Sequence, residues 1–141
     1  MSRDEIEAFI DRRLRAWNAR DAHALALDHA EDGVVESPLA GGNASGREAI
    51  ERLYATYFRA FTDFKIERRD LLIDGERVAL CAWVSGTDRG GFMGMEPTGR
   101  AVKMPIAFLY QLRDGQIASE YRIYDFTGLL IQIGMLKAKP A

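Results

Sequence analysis

The fold is decided by the stretch VKMPIAFLYQLRDGQIASEYRIYDF, which runs from Val102 to Phe126 in this chain of 141 residues. Apolar residues alternate with other residues on both sides of Asp114-Gly115, and a period of two is typical of β-strands. Asp-Gly between two such runs is a strong hairpin signal, because the favoured two-residue turns need positive φ. The segment therefore predicts two antiparallel strands joined by a tight turn.

A second hairpin signal lies upstream of the first. Asp74-Gly75 separates an alternating run that begins at Phe64 from another that includes Val78 to Trp83. Strands joined in this way favour an antiparallel sheet. Cys81 falls within one of these runs, where we expect an inert, buried thiol.

Helical patterns precede the strands. Capping-box signatures stand ahead of two amphipathic helices, and shorter elements lie between them. The signatures are Ser2 with Glu5 and Ser45 with Glu48, and the shorter elements are a helix from Asp21 to about His29, a strand from Val34 to Ser37 and a loop from Pro38 to Gly46.

The order of these elements predicts the fold class. Helices first and strands later, without a linker or an internal repeat, predict a single α+β domain over residues 1–141. We expect a curved antiparallel sheet that carries the N-terminal helices on its concave face. A curled sheet with helices across its mouth encloses a cone of apolar space, which is the default site for a small ligand.

Composition and spacing exclude several classes of function. The net charge is -2 and the basic residues are scattered, so we expect no nucleic-acid or membrane partner. The chain shows no apolar signal segment and no apolar run of membrane-spanning length, which predicts a cytoplasmic protein. His23 and His29 would point in different directions on one helix, so no metal site is expected. Gly90 to Gly94 lacks the ending of a phosphate-binding loop and favours a mobile loop over the barrel mouth, with Phe92, Met93 and Met95 near a ligand.

Asp125 is the candidate catalytic residue. Alternation along the last strand places Tyr121, Ile123 and Asp125 on one face. If that face lines the cone, Asp125 is a carboxyl in apolar surroundings, and burial raises the pKa of a carboxyl towards the range that suits general acid/base catalysis. The alternative is that Asp125 closes the strand as part of an Asp-Phe-Thr-Gly turn, and both interpretations stay open at this point.

An ordered series of short motifs resembles one protein family over most of the chain. Their order and spacing are similar to those of the SnoaL-like polyketide cyclases, which belong to the nuclear transport factor 2-like superfamily together with ketosteroid isomerases and scytalone dehydratases. The motifs, which accompany the two Asp-Gly turns, are Gly46-Arg-Glu-Ala-Ile50, Ala60-Phe-Thr-Asp-Phe64, Gly86-Thr87, Gly91-Phe92-Met-Gly94, Pro97-Thr-Gly99 and Tyr121 through Gly134.

The resemblance implies both a fold and a reaction. It implies a conical α+β barrel, a homodimer formed through the sheet, and aldol cyclisation or isomerisation of a small apolar carbonyl-bearing molecule without metal or organic cofactor, with Asp125 as general acid/base. The alternative function is ligand binding, or interaction through the sheet, without turnover. The residues expected to contact the ligand are Arg13, Trp17, Ser37, Tyr54, Phe58, Trp83, Asp88, Phe92, Met104, Ala107 and Tyr121.

Four positions depart from the patterns of these relatives. Asp88 stands where many SnoaL-like members carry His, and it is either a changed pocket group or a solvated loop residue. Ser37 occupies the position of the ketosteroid isomerase base, and Arg13 and Ala107 occupy the positions of the oxyanion-hole groups, so steroid isomerisation is disfavoured. Arg13 is either the ionic partner of Asp125 or a side chain at the edge of the core.

Overall fold

The computed structural model describes residues 1–39, 41–137 and 139. These residues form four α-helices and six β-strands. The helices are α1 (Arg3–Asn18), α2 (Ala22–Leu27), α3 (Arg47–Ala60) and α4 (Phe126–Gln132). The strands are β1 (His29–Ser37), β2 (Gly42–Ser45), β3 (Lys65–Asp74), β4 (Arg77–Thr87), β5 (Ala101–Arg113) and β6 (Gln116–Ile123). In this part of the chain no helix combines the length and apolar character needed to cross a membrane.

The six strands form one sheet in the order β2-β1-β6-β5-β4-β3. Four neighbouring pairs are antiparallel, while β1 and β6 run parallel. The α+β cone is confirmed, but the expectation of a purely antiparallel sheet is wrong at this one pair. β1 and β6 are far apart in the sequence, so no hairpin constrains their relative direction.

Both Asp-Gly sequences lie at turns between antiparallel strands. At the β5–β6 turn Asp114 and Gly115 have φ of 53° and 75°, which is typical of a type I′ turn. At the β3–β4 turn the central residues are Gly75 and Glu76, and of these two only Gly75 has a positive φ, 61°. Glycine at the first central position is typical of a type II′ turn.

A β-bulge in β6 changes which face each residue takes. Ile117 pairs with Leu112 of β5, whereas Ser119 pairs with the residue next to Leu112, so Ala118 is an extra residue on β6. An extra residue of this kind interrupts the alternation of a strand. From Glu120 onward the inward and outward positions are therefore exchanged.

The helix starts agree with the sequence at one of the two predicted capping boxes. The Ser2 hydroxyl accepts a hydrogen bond from the Glu5 N–H at 3.1 Å, and the Glu5 carboxylate accepts one from the Ser2 N–H at 3.0 Å. The predicted box of Ser45 and Glu48 is wrong, because Ser45 is the last residue of β2 and α3 is capped by Gly46 with φ of 84°.

The segment after α2 also differs from the prediction. α2 ends at Leu27 and His29 begins β1, so the helix is shorter, and the strand predicted from Val34 is longer, than expected. Part of the segment predicted as a loop forms β2, and Ala40 within it lies outside the described residues.

The core lies between the helices and the inner face of the sheet. The Trp17 ring of α1 stacks on Phe64 with 5.4 Å between the ring centroids. It meets Tyr54 and Phe58 of α3 edge-on, at 5.0 Å and 5.7 Å. The aromatic stripe of the third helix is thus core, and offset and edge-on contacts of this kind add to the stabilisation from burial.

The loop between β4 and β5 is organised around Asp88. Its carboxylate accepts hydrogen bonds from the N–H of Gly91 at 3.1 Å and from the N–H and hydroxyl of Thr98 at 3.0 Å and 3.1 Å. Asp88 is fully buried, so the expectation of a solvated loop residue is wrong. Burial is tolerated because three donors satisfy the carboxylate.

Candidate functional site

The cone encloses a small cavity between the sheet, α1, α3 and α4. Its volume is about 40 Å³, which is space for about one to three water molecules. The wall is mostly aromatic and aliphatic, with a few polar side chains. The lining residues are Trp17, Tyr57, Phe61, Phe64, Val84, Ser85, Gly86, Val102, Met104, Ile106, Arg122, Tyr124 and Leu129.

Arg122 supplies the one charged side chain among these lining residues. The bulge at Ala118 turns it inward, where it is 1% exposed. Its guanidinium carbon lies 4.7 Å from the centroid of the Tyr54 ring and 5.4 Å from that of the Trp17 ring, so cation–π attraction helps to hold it. Among the described residues its Nη2 has no hydrogen-bond partner. A buried N–H without an acceptor is costly, so this nitrogen favours a ligand that brings one.

Glu120 neutralises Arg122. One carboxylate oxygen accepts a short hydrogen bond from the Arg122 Nε, and the other lies 3.6 Å from the His29 Nε2 and 3.9 Å from the Arg13 Nη2. Burial raises the pKa of Glu120, but the attraction of Arg122, His29 and Arg13 outweighs it and holds the pKa below its ordinary value. Glu120 is therefore a carboxylate at neutral pH.

Arg13 and Asp28 form a second buried ion pair behind the first. The Arg13 guanidinium donates to the Asp28 carboxylate at 2.8 Å and to the Tyr54 hydroxyl at 2.7 Å. Asp28 also accepts a hydrogen bond at 2.6 Å from Arg12, whose side chain is half exposed. Arg13 therefore pairs with Asp28 and not with Asp125, and the expectation of an Arg13–Asp125 pair is wrong.

His29 completes this group, which we call the buried polar cluster: Arg13, Asp28, His29, Tyr54, Glu120 and Arg122. The His29 Nε2 lies 3.0 Å from the Tyr54 hydroxyl. Burial lowers the pKa of His29 to about 3, against the attraction of Glu120 and in the same direction as the repulsion of the two arginines. The imidazole is therefore neutral at pH 7.

Tyr57 and Tyr124 place a pair of hydroxyls at the cavity wall, in hydrogen-bond contact with each other. Burial and the neighbouring Tyr124 raise the pKa of Tyr57 well above its ordinary value, so this phenol stays protonated. One O–H of such a pair donates to the other, and the second O–H remains free to donate to a ligand. The Trp17 Nε1, buried and without a partner among the described residues, is a further donor.

Two of the residues predicted to contact a ligand, Trp17 and Met104, line the cavity. Arg13 and Tyr54 belong to the buried polar cluster behind it. Ser37 is buried and its hydroxyl has no partner among the described residues, but it is not part of the lining.

Other predicted residues lie in the core or in the β4–β5 loop. Phe58 packs within the aromatic core, and Phe92 packs against Tyr57 with 5.9 Å between the ring centroids. Met93 and Met95 are exposed. Neither Asp88 nor the glycine-rich loop contributes to the cavity lining.

The remaining predicted residues, together with Cys81, lie on the outer side of the sheet or at its end. Tyr121 is 45% exposed, Cys81 is exposed, and Trp83 and Ala107 are half-buried on outward positions of β4 and β5. The burial predicted for Cys81 is therefore wrong.

Asp125 lies at the end of β6 and caps α4. It is exposed, and its carboxylate accepts a hydrogen bond from the Gly128 N–H at 2.8 Å. The predicted position of Asp125 in the cavity is therefore wrong, because the extra residue Ala118 turns the face that carries Tyr121 and Ile123 outward. The cap agrees with the alternative that Asp125 ends the strand.

Sequence reasoning missed several residues of this site, among them Tyr57 and Tyr124 of the cavity wall and Asp28, His29, Glu120 and Arg122 of the buried polar cluster. His29 was assigned to a helix. Glu120 and Arg122 carried a usable signal, because opposite charges two residues apart in a strand lie on one face and neutralise each other even when that face is buried. In the described part of the chain no three His, Cys, Asp or Glu side chains are grouped so that they could hold a metal ion.

The family follows from a comparison with protein-family models. The model of the SnoaL-like polyketide cyclases matches residues 8–133. The chain belongs to this family. A search of curated proteins found no match for this SnoaL-like protein.

Solved structures support the same fold for this SnoaL-like protein. AclR from Streptomyces galilaeus, a proposed hydroxylase, is 27% identical with a TM-score of 0.84, over 99% of this chain and 91% of AclR. IdmH from Streptomyces antibioticus, a proposed polyketide cyclase, is 28% identical with a TM-score of 0.73, over 93% of this chain and 96% of IdmH. A protein from Catenulispora acidiphila with a ketosteroid isomerase-like fold, in complex with trimethylamine, is 21% identical with a TM-score of 0.76, over 99% and 100%.

The buried, neutral His29 makes folding stability depend on pH. The pKa of His29 is about 3 in the folded protein and 6.5 for an ordinary histidine, so below pH 6.5 the unfolded chain binds the proton first. Stability is then lost as the pH falls from 6.5, and we expect a loss of about 2 kcal/mol at pH 5. Glu120, with its ordinary pKa of 4.5, adds to the loss only below that pH.

Urea unfolding at pH 7.5 and pH 5 measures this dependence. We expect His29→Gln to remove most of the loss between the two pH values. His23→Gln is the matched control, because His23 is exposed beside Glu51. A loss of equal size in wild type and His29→Gln would contradict the assignment.

Proposed function

We propose that this protein binds a small, largely apolar, carbonyl-bearing molecule in the cone. The carbonyl oxygen accepts hydrogen bonds from Arg122 and from the Tyr57–Tyr124 pair, and the rest of the molecule packs against the aromatic wall. One observation carries the proposal: Arg122 is the one charged residue in a mostly apolar lining, and its buried Nη2 has no acceptor among the described residues. A carbonyl satisfies such a donor, and an alkene of the same shape does not.

The cavity widens when such a ligand enters. A cavity that holds a benzene ring has a volume of about 150 Å³, and the present one has about 40 Å³. Leu129 forms part of the wall and belongs to α4, a helix of only seven residues. Displacement of α4 would open the cavity while most of the rest of the wall, which belongs to the sheet and the two long helices, stays in place.

The same donors suit a catalytic role. Hydrogen bonds to a carbonyl oxygen stabilise the negative charge that develops when the neighbouring carbon loses a proton, which is the first step of an aldol cyclisation or an isomerisation. Membership of the SnoaL-like family and the 28% identity to IdmH, a proposed polyketide cyclase, favour this chemistry.

A specific observation favours the second candidate, ligand binding without turnover. Proton abstraction needs a base, and no carboxylate or imidazole is among the lining residues. Asp125, the general acid/base expected from the sequence, is exposed and caps α4. In a catalytic mechanism its carboxylate has to leave this cap and reach the cavity.

Binding is tested with acetophenone and α-methylstyrene, which differ only in C=O against C=CH₂. Trp17 lies in the cavity wall and Trp83 lies outside it. In one NMR spectrum the indole N–H resonance of Trp17 therefore reports on the cavity, and that of Trp83 reports on the outer face of the sheet. We expect acetophenone to shift the Trp17 signal, with an affinity about fivefold higher than that of α-methylstyrene, because one buried hydrogen bond is worth about 1 kcal/mol.

Tyr124→Phe is expected to reduce this preference for acetophenone, because the Tyr57 hydroxyl loses the hydrogen-bonded partner that positions and polarises it. Tyr121→Phe is the matched control, since Tyr121 lies on the outer face of β6. Trp83→Phe assigns the two indole signals. Equal affinities for the two ligands, or no shift at Trp17, would refute the binding proposal.

Turnover is tested by deuterium exchange into the methyl group of acetophenone in heavy water. If the protein enolises the ketone, wild type speeds this exchange and Asp125→Asn slows it again. We expect little acceleration by either protein, because no base lines the cavity. Fast exchange that depends on Asp125 would establish the catalytic role and contradict this expectation.

We also propose that the outer face of the sheet forms a homodimer. Leu72, Leu109 and Tyr121 line one groove on this face and are 62%, 44% and 45% exposed. Ile123, 46% exposed, follows two residues after Tyr121. An exposed apolar patch of this kind is typical of an interaction surface, and a second copy supplies a matching patch under two-fold symmetry.

Leu109→Lys tests the dimer. Burying an unpaired ammonium at the interface is costly, so we expect this variant to sediment as a monomer and wild type as a dimer. Leu27→Lys, at a residue of α2 that is 50% exposed, is the control that leaves the mass unchanged. A monomeric wild type at concentrations of about 100 µM would rule out the interface.

A further inference from the structure

We propose that Glu120 makes the cone selective for uncharged ligands. With Glu120 in place, the cavity accepts a neutral carbonyl compound and rejects a carboxylate of the same shape. This inference rests on the proposed function, because it concerns the same cavity. It assigns a role in selectivity to a side chain that does not line the cavity itself.

The buried polar cluster has no net charge. Two guanidiniums, of Arg13 and Arg122, stand against two carboxylates, of Asp28 and Glu120, and all four are buried. His29 adds no charge at neutral pH, because burial lowers its pKa to about 3.

The phenols in and beside the cluster, of Tyr54 and Tyr110, are neutral as well. Burial raises the pKa of Tyr54 and of Tyr110, which faces the same groups from β5. Arg12 contacts Asp28 from the protein surface, where its half-exposed side chain is hydrated and its charge is screened by water.

A neutral interior discriminates against a charged ligand. A carbonyl compound that enters loses little hydration and gains the Arg122 hydrogen bond. A carboxylate loses a large hydration energy and meets a guanidinium whose charge is already shared in a direct bond with Glu120. The unpaired Nη2 of Arg122 therefore acts as a hydrogen-bond donor rather than as a free cation.

Replacement of Glu120 by glutamine changes this balance with little change in shape. The amide oxygen keeps the acceptor for the Arg122 Nε, and the amide N–H₂ lies towards the His29 Nε2, which is 3.6 Å from the present carboxylate oxygen. The cluster then carries one uncompensated positive charge next to the cavity, which favours a carboxylate ligand.

The experiment compares acetophenone with benzoate, in which O⁻ replaces the methyl group, by the shift of the Trp17 indole N–H. We expect wild type to prefer acetophenone. In Glu120→Gln the affinity ratio should move towards benzoate by roughly tenfold or more, since a pair of charges this close interacts by several kcal/mol in a buried site.

Asp28→Asn is the matched control, because it removes the same charge from the far side of the cluster, where Arg12 and Arg13 are the partners. We expect it to move the ratio far less than Glu120→Gln. An equal change in the affinity ratio in both variants would mean that the total charge of the cluster, and not the position of Glu120, sets the preference for acetophenone. That result would overturn the proposal.

A measurement on wild type alone keeps the proposal testable if Glu120→Gln does not fold. Calorimetry in two buffers of different ionisation enthalpy gives the number of protons taken up on binding. We expect benzoate either not to bind or to bind with uptake of about one proton, as the neutral acid.

The outcomes separate this inference from the proposed function. If acetophenone does not shift the Trp17 signal, both fail. If acetophenone binds and benzoate binds equally well without proton uptake, or if Glu120→Gln folds and leaves the ratio unchanged, the proposed function stands and the role of Glu120 is refuted.

Discussion

A guanidinium kept away from water needs a carboxylate beside it, and the interior of this protein is arranged around that requirement at Arg122. Glu120 meets it from the same strand, and loss of one member of such a buried pair costs about 3–5 kcal/mol. Glu120 in turn lies near Arg13 and His29, so polar contacts as well as apolar packing connect α1 and β1 to β6. Glu120 accepts from the Arg122 Nε, and the Nη2 is left without an acceptor among the described residues.

The parts of the fold that the sequence predicts are the parts with local causes. The Ser2–Glu5 capping box, the apolar stripes of α1 and α3 and the two Asp-Gly turns depend on residues within a few positions of one another, so each can be read from a short window. The parallel pairing of β1 with β6 brings His29 to Ile117 across most of the chain, and no local pattern encodes it. The cap of α3 was missed because β2 already uses Ser45.

The candidate site was predicted poorly because its polar residues are satisfied by distant partners. Asp28 follows a short helix and looks like a surface residue, but Arg12 and Arg13 hold it in the interior. Asp88 looks like a solvated loop residue for the same reason, and Gly91 and Thr98 supply the donors that allow its burial. The burial of Trp17 is predicted correctly, because an aromatic side chain on the apolar stripe of a helix needs no partner to be recognised.

The extra residue Ala118 has a consequence for how members of this family are compared. The length of β6 at this point, more than the identity of its residues, selects which side chains face the interior of the cone. A homologue one residue shorter here would present its counterparts of Tyr121 and Ile123 to the cavity and its counterpart of Arg122 to solvent or to a partner subunit. A sequence alignment that runs through this position without a gap would then equate residues on opposite faces of the sheet. Functional residues transferred by such an alignment would be assigned to the wrong side of the protein.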